Sequence, residues 1–446
     1  MTVMAGAAVA DITPPVGIEM GGYGARQGVS TGVLDPLLVR VLALSDGTTS
    51  VVLAVADLVA VWPDMVERAR ELVEAATGVP AGNVLVAATH THSGPAGISA
   101  RADSEYAGIA ARTIAGAARM ALAALTPVTL KVATAEIATI SQNRRDPDGP
   151  IETELTVLSA AVPAGDVVAT LVNHACHATV LEYDNLGYSA DWPGACCRAV
   201  EQAVGGRAVY LQGACGDINP VWMRHDHAEV QRVGGIVGAA AARAVHELRP
   251  LGEGQWAVNL NWSEETAKEP APGTVLSDVR LAAATVPVDL PRRVLDAPEE
   301  IEAEMARIEQ QIADAGDDLA VRRALRPRLN RLNVERFPHA GRGRGLPGGR
   351  TERAEVQVMR LATECALVAL PGEFFVETGH RIRERLRGEG IGHVLVAGYA
   401  NGYLGYLPAP DQFDLHGYEV GCARFEPAAA GMVADAAVDA VRRLYA

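Results

Sequence analysis

Aromatic side chains are scarce in this chain: five Phe, five Trp and ten Tyr stand among 446 residues. So thin a supply leaves it poorly equipped to pull a lipid out of a bilayer. Positive charge is also in deficit, 39 Lys and Arg against 54 Asp and Glu, for a formal net charge of -15. That balance argues against nucleic acid and against stable association with an anionic membrane. No apolar run approaches the roughly 18 to 20 residues of a membrane span. The opening MTVMAGAAVADITPP has no basic segment ahead of an apolar one and meets Asp11 and Pro14-Pro15 early, unlike a signal peptide. The six cysteines show no CxxC spacing and no disulfide framework. These absences together place the protein in the cytoplasm with free thiols. Internal repeats, an HExxH helix and a GxSxG elbow are missing too, the last of which counts against Ser93, beside His92, as a nucleophile.

What is present begins with Thr89–Pro95, THTHSGP. The apolar run Val84–Ala88 before it suits a buried strand, and residues two apart on a strand share a face. His90 and His92 are therefore expected to point the same way at the strand's end, as half of a metal site or as hydrogen-bonded core histidines.

Elsewhere strand and helix patterns alternate. Leu37–Leu44 and Val51–Val61 flank Ser45-Asp46-Gly47 as a hairpin, and Asp57 is an acid within an apolar strand, set either for local hydrogen bonding or for a site. Helices are predicted from Pro63 to about Ala76, Glu105 to Leu125, Asp191 to Val204 with the acid as N-cap, Glu229 to Leu248, Phe375 to Leu386, and at the C-terminus. From Asp296 to Leu332, Ile301, Met305, Ile308 and Ile312 recur at helical steps among charges, which reads as a helical hairpin turning near Gly316. The glycine-rich Gly341–Arg350 reads as a loop. The fold class is α/β, a mixed β-sheet core flanked by helices, forming one domain over residues 1–446 with an inserted helical segment at 296–350.

Reactive side chains gather at predicted strand ends: His90 and His92; His174 and His177 in NHACHATVL; Glu373 in PGEFF; and Tyr403, Tyr406 and Tyr418. Ligands of open α/β sheets collect at such ends. Two histidines and a carboxylate with an open position form a familiar hydrolytic zinc arrangement, which lowers the pKa of water to about 7. Cys176 reads as a buried filler, His225-Asp226-His227 as a solvated helix start, and the glycines of GACGD as allowing close approach to a ligand.

In order along the chain, ADITPP with MGGYG, VAATHTHSGP, the QNR of Gln142–Arg144, NHACHATVL, QGACGDINP, EVQVMRL with ALPGEFF, and NGYLGY followed by YE form a set. That set resembles the neutral (alkaline, non-lysosomal) ceramidases in their N-terminal catalytic domain, across nearly the whole chain. The histidine motif reads HAT where the family has HPT, and no immunoglobulin-like domain is expected after YE. The resemblance implies one catalytic Zn²⁺ with ligands His90, His177, Glu373 and Tyr406, His177 being taken over His174. It also implies His92, Arg144 and Tyr418 as groups acting on the transition state.

The expected function is zinc-dependent hydrolysis of an amide C–N bond in a soluble N-acyl amine or specialised metabolite, rather than in membrane ceramide. Lactone or ester hydrolysis on the same zinc site is the nearest alternative, and an inactive zinc-binding scaffold is another. The partner is then a small-molecule amide, and self-association is left open.

Overall fold

Central strands in this protein are apolar on both sides because both sides are covered. The computed structural model describes residues 2–96, 104–248, 274–294, 297–316, 351–415 and 417–446, together with Val321, Leu325, Arg328, Leu329 and Leu332. In strand Ser50–Ala56, Val51, Leu53 and Val55 enter one core while Val52, Ala54 and Ala56 enter another. The neighbouring Leu38–Ser45 divides the same way, Leu42 and Leu44 against Val39, Val41 and Ala43. Such runs lack polar alternation since neither face meets water.

Three mixed sheets share the first of these cores. One has five strands in the order Val84–Ala88, Ser50–Ala56, Leu38–Ser45, Met4–Asp11, Thr126–Pro127. The second runs Arg207–Gln212, Val167–His174, Glu154–Ala161, Thr129–Glu136, Thr274–Val275; the third runs Ala282–Pro291, Thr351–Ala362, Cys365–Ala369, His393–Ala397. Leu53 and Leu85, Leu171 and Leu211, and Leu367 and Leu395 meet there from the three sheets, all fully buried. Truncating any one of them to Ala costs about 2–5 kcal/mol. Helices cover the outer faces: Pro63–Thr77 packs on Ser104–Ala123, and Asp191–Val204 on His227–Leu248, while Val376–Gly388 and Ala429–Tyr445 cover the third sheet.

Each sheet contains one parallel pair of strands among antiparallel ones. These pairs are Ser50–Ala56 with Val84–Ala88, Val167–His174 with Arg207–Gln212, and Cys365–Ala369 with His393–Ala397. Paired strands of this kind bring their carboxyl ends to one side, and the loops leaving those ends carry the reactive residues.

The predicted hairpin, mixed α/β character and helices are present within a few residues of their expected bounds. In the helical insertion, Leu325, Leu329 and Leu332 pack against Ile301, Met305, Ile308 and Ile312 after a turn at Gly316 (φ +51°). Gly341–Arg350 lies outside the described residues. One local expectation fails: Asp191 does not cap its helix as the N-cap. Ala190 takes that position, and Asp191 is the first helical residue, with a φ of +52°. Its carboxylate instead accepts hydrogen bonds from the backbone of Val180, Leu181 and Trp192. Among the described residues no helix is long and apolar enough to cross a membrane.

Candidate metal centre

The strand before THTHSGP ends at Ala88, and the next turn of chain departs from strand geometry. His90 has a φ of +64°, so the shared facing of His90 and His92 does not come from strand alternation. It comes from a second contact: Thr91 bridges in parallel to Ala178, and His92 N–H donates to Ala178 O at 3.2 Å. This lays THTH directly beside HACHAT. Asp57 secures the same segment, accepting from Thr89 Oγ1 at 3.2 Å and from Leu38 N at 2.9 Å, which is the local hydrogen-bonding role.

The third segment arrives through GACGD. Gly216 N–H donates to Phe374 O at 2.8 Å, and a Cβ on Gly216 would stand 2.7 Å from Glu373 O. The glycine is thus needed for approach to another strand of the protein, not to a ligand. Asp217 then joins three motifs: its carboxylate accepts from Val376 N and from Asn143 Nδ2, and its carbonyl accepts from Arg144 N. Burial raises the Asp217 carboxyl to about 7.

At the junction, His90 Nε2 and His177 Nε2 each lie 3.4 Å from Glu373 Oε2, and all three side chains are buried. His90 Nδ1 sits 2.6 Å from Val59 O and His177 Nδ1 2.9 Å from Ile218 O. A carbonyl oxygen only accepts, so each Nδ1 carries the proton and each Nε2 presents a lone pair. Burial first, then the nearby Arg144, lowers His177 to about 4. Two imidazole lone pairs and a carboxylate oxygen thus converge on one point, and His177 Nε2 has no hydrogen-bond partner among the described residues. Such an arrangement is unfavourable without a cation, and its mixture of nitrogen and oxygen donors fits a metal such as zinc. His92 belongs to the same cluster: ligand atoms of His90, His92 and His177 lie within 4.8 Å of one another.

Tyr406 reaches the site from the strand paired with Glu373, the two residues being in register. Arg144 Nη2 donates to its hydroxyl at 3.0 Å, while Arg144 Nε holds Glu419 at 2.7 Å. Burial raises the Tyr406 phenol well above its ordinary value, with Arg144 opposing. Tyr418 stacks edge-on against Tyr406 with ring centroids 5.7 Å apart, and is half exposed. His92 faces His90 with Nε2 atoms 3.2 Å apart; burial and the other two histidines lower its pKa well below the ordinary value, leaving it neutral.

Two residues that hold Glu373 gave little sign of it in the sequence. Tyr403 bonds through its hydroxyl to Glu373 Oε1, so Oε2 alone is left for the cluster. Tyr399 stacks on His90 at 3.9 Å and brings its hydroxyl 3.5 Å from Glu373 Oε2. The run of tyrosines in GYANGYLGY was the available signal, and nothing in it ranked one ring above another.

His174 stands apart from the cluster. Its ring nitrogens engage Glu154 O at 3.0 Å and Ser141 Oγ at 3.4 Å. Cys176 is buried filler, and Ser93 Oγ accepts from Asn185. His225 and His227 lie outside the cluster, the first on Val180 O, the second at the start of its helix.

Above the cluster opens a cavity of about 710 Å³. Val59, Ala60, Trp62 and Tyr403 line it, as do Tyr23, Thr179, Glu182, Asn219 and Trp222. Arg144, Tyr406 and Tyr418 also face it.

Residues 3–242 match the family described as "Neutral/alkaline non-lysosomal ceramidase, N-terminal". Neutral ceramidase A of Dictyostelium discoideum is 38% identical over 77 residues, 16% of this chain and only 11% of that protein's length. Among solved structures, the neutral ceramidase from Pseudomonas aeruginosa superimposes with a TM-score of 0.75 at 21% identity, over 100% of this chain and 75% of that one. A ceramidase complexed with C2 gives 0.74 at 20% identity, over 100% and 76%. At these identities the two structures speak for the fold. The matched family segment spans more than half of the sequence and holds His90, His92, Arg144 and His177, and on that match the chain belongs to the neutral/alkaline non-lysosomal ceramidase family.

Proposed function

We propose that this protein is a zinc-dependent amidohydrolase that cleaves the C–N bond of a soluble N-acyl amine and works in the cytoplasm. The observation that carries the reading is the convergence of His90 Nε2, His177 Nε2 and Glu373 Oε2 at the base of an open cavity. These three, with Tyr406, would hold Zn²⁺. The ion would supply Lewis-acid polarisation of the carbonyl and a water acidified to a pKa of about 7.

The rest of the chemistry belongs to the chain. Water adds to the amide carbon, and the oxygen gains negative charge as the tetrahedral species forms. Arg144, kept cationic by Tyr406 and Glu419, stands beside that oxygen as a fixed positive charge. Tyr418, whose phenol burial raises, keeps its proton at neutral pH and donates it as a hydrogen bond. His92, neutral and open to the cavity, takes up the proton lost by the adding water and passes it to the nitrogen, so that the amine departs as the C–N bond breaks. Val59, Ala60 and Trp62 offer an apolar surface for the acyl group, and the polar groups also lining the cavity favour a soluble amine over a long-chain lipid base.

The test is to strip metal with a chelator, restore Zn²⁺, and assay N-acyl amines of graded acyl length beside a short-chain ceramide. Activity should return at one zinc per chain and be higher on the short acyl amides. A preference for ceramide would overturn the substrate half, and a fully loaded protein inert towards every amide would overturn the reaction.

A further inference from the structure

One wall of the cavity carries polar groups for which the chemistry above has no use. Thr179, 6% exposed, lines the cavity, and its hydroxyl has no hydrogen-bond partner among the described residues. Leaving a buried hydroxyl unpaired costs on the order of 1–3 kcal/mol, a sign that a ligand completes it. Three residues on, Glu182 also lines the cavity.

The Glu182 carboxylate is only partly shielded from solvent, its side chain being 38% exposed. Its ion-pair partner among the described residues is His225, whose Nε2 is 3.3 Å from Oε1. The other ring nitrogen of His225, Nδ1, lies 3.0 Å from Val180 O, which anchors the ring. Arg26 reaches the backbone carbonyl of Glu182 rather than its carboxylate. The cavity's arginines are engaged elsewhere, Arg144 with Glu419 and Arg424 with Glu352.

Aromatic rings complete the wall. Trp222 packs beside His225 at 5.2 Å, and Tyr23, whose hydroxyl donates to Leu181 O at 2.9 Å, stands against His92 at 4.8 Å. A cavity lining that offers a carboxylate, aromatic rings and an unpaired hydroxyl suits an aliphatic ammonium.

We propose that Thr179, Glu182, Tyr23 and Trp222 form a subsite for a positively charged amine half of the substrate, one carrying an aliphatic ammonium group beyond the scissile nitrogen. This assignment rests on the amide-hydrolase reading and narrows it, since it makes the substrate a monoacylated diamine and the leaving group the free diamine rather than a monoamine.

The experiment uses zinc-loaded full-length protein and two isosteric amides with the same acyl group. One amine half is 2-(dimethylammonio)ethyl and the other 3-methylbutyl, which differ by a charged nitrogen in place of carbon. Binding by calorimetry is the primary readout and turnover the second. The ammonium amide should bind at least about tenfold more tightly, and Glu182→Gln should collapse that ratio to near one, with zinc content and Tm retained. Thr179→Val should weaken the ammonium amide more than the neutral one. Equal binding of the two amides to the wild type, or a preference that survives Glu182→Gln, overturns the subsite. Selective binding without hydrolysis of either amide would leave the subsite standing and overturn the reaction instead.

Discussion

His174 and His177 are three residues apart, yet their imidazoles serve different parts of the molecule: Nε2 of His177 lies 3.4 Å from Glu373, whereas both nitrogens of His174 bond to Glu154 O and Ser141 Oγ. Replacing each should therefore produce opposite phenotypes. His177→Ala is expected to lose stoichiometric zinc and all turnover while remaining folded. His174→Ala should keep one zinc per chain and lose about 2–4 kcal/mol of stability, from the cavity and the unpaired groups left behind. Metal analysis and denaturant unfolding of both variants separate the two roles, and zinc lost from the His174 variant alone would reverse the assignment.

Tyr403 occupies Glu373 Oε1 and fixes which oxygen faces the histidines. Tyr403→Phe should weaken zinc affinity by about 10–100-fold, as loss of an outer partner of a metal ligand does. Competition against a chromophoric chelator measures this directly. At saturating zinc most of the activity should return; a kcat that stays low with zinc fully bound would mean that the hydroxyl acts on the substrate.

Gly22, in the MGGYG turn, has a φ of +96°, and a Cβ there would stand 2.6 Å from His92 Cβ. Gly22→Ala must therefore push the His92 ring. Displacement by roughly an ångström costs on the order of a hundredfold in rate, and zinc content is expected to hold because the atoms nearest to a Cβ at Gly22 all belong to His92. Single-turnover kinetics on the zinc-loaded variant check both halves.

Glu152 is buried against His380 and Arg383. Burial alone would raise its pKa, but the His380 hydrogen bond and the Arg383 charge outweigh it and bring it to about 2. A folded-state pKa below the unfolded value of about 4.3 stabilises the fold above that unfolded value. The contribution is lost as pH falls from there towards 2. Glu152→Gln should destabilise the protein by about 3–5 kcal/mol at pH 7, since it strands a buried guanidinium, and the gap to wild type should narrow in unfolding experiments as pH falls below 4. A gap constant down to pH 2.5 would refute the ion-pair account.

Strands and helices were legible in the sequence because each is governed by local periodicity: Val84–Ala88 and Pro63–Thr77 were placed to within a residue. Facing was less so. His90 and His92 share a side through the Thr91–Ala178 bridge, a contact between segments almost ninety residues apart, and no local pattern encodes that. Asp191 looked like a helix cap because an acid preceded Trp-Pro, yet three backbone N–H groups claimed its carboxylate. His90, His177 and Glu373 were reached through motif resemblance. The structure brings them together, whereas the parts of Tyr399 and Tyr403 depend on ring placement across strands that sequence spacing does not specify.

The backbone bond from Gly216 to Phe374 and the bridge from Thr91 to Ala178 join the three donor segments using peptide groups alone. The protein therefore assembles its donor atoms before any ion arrives, in contrast to small zinc modules whose folding waits on the metal. A metal bound there would spend little of its affinity on ordering chain, leaving more for selecting the ion. Exchange of such an ion would be a matter of passage through the cavity, on a clock separate from unfolding.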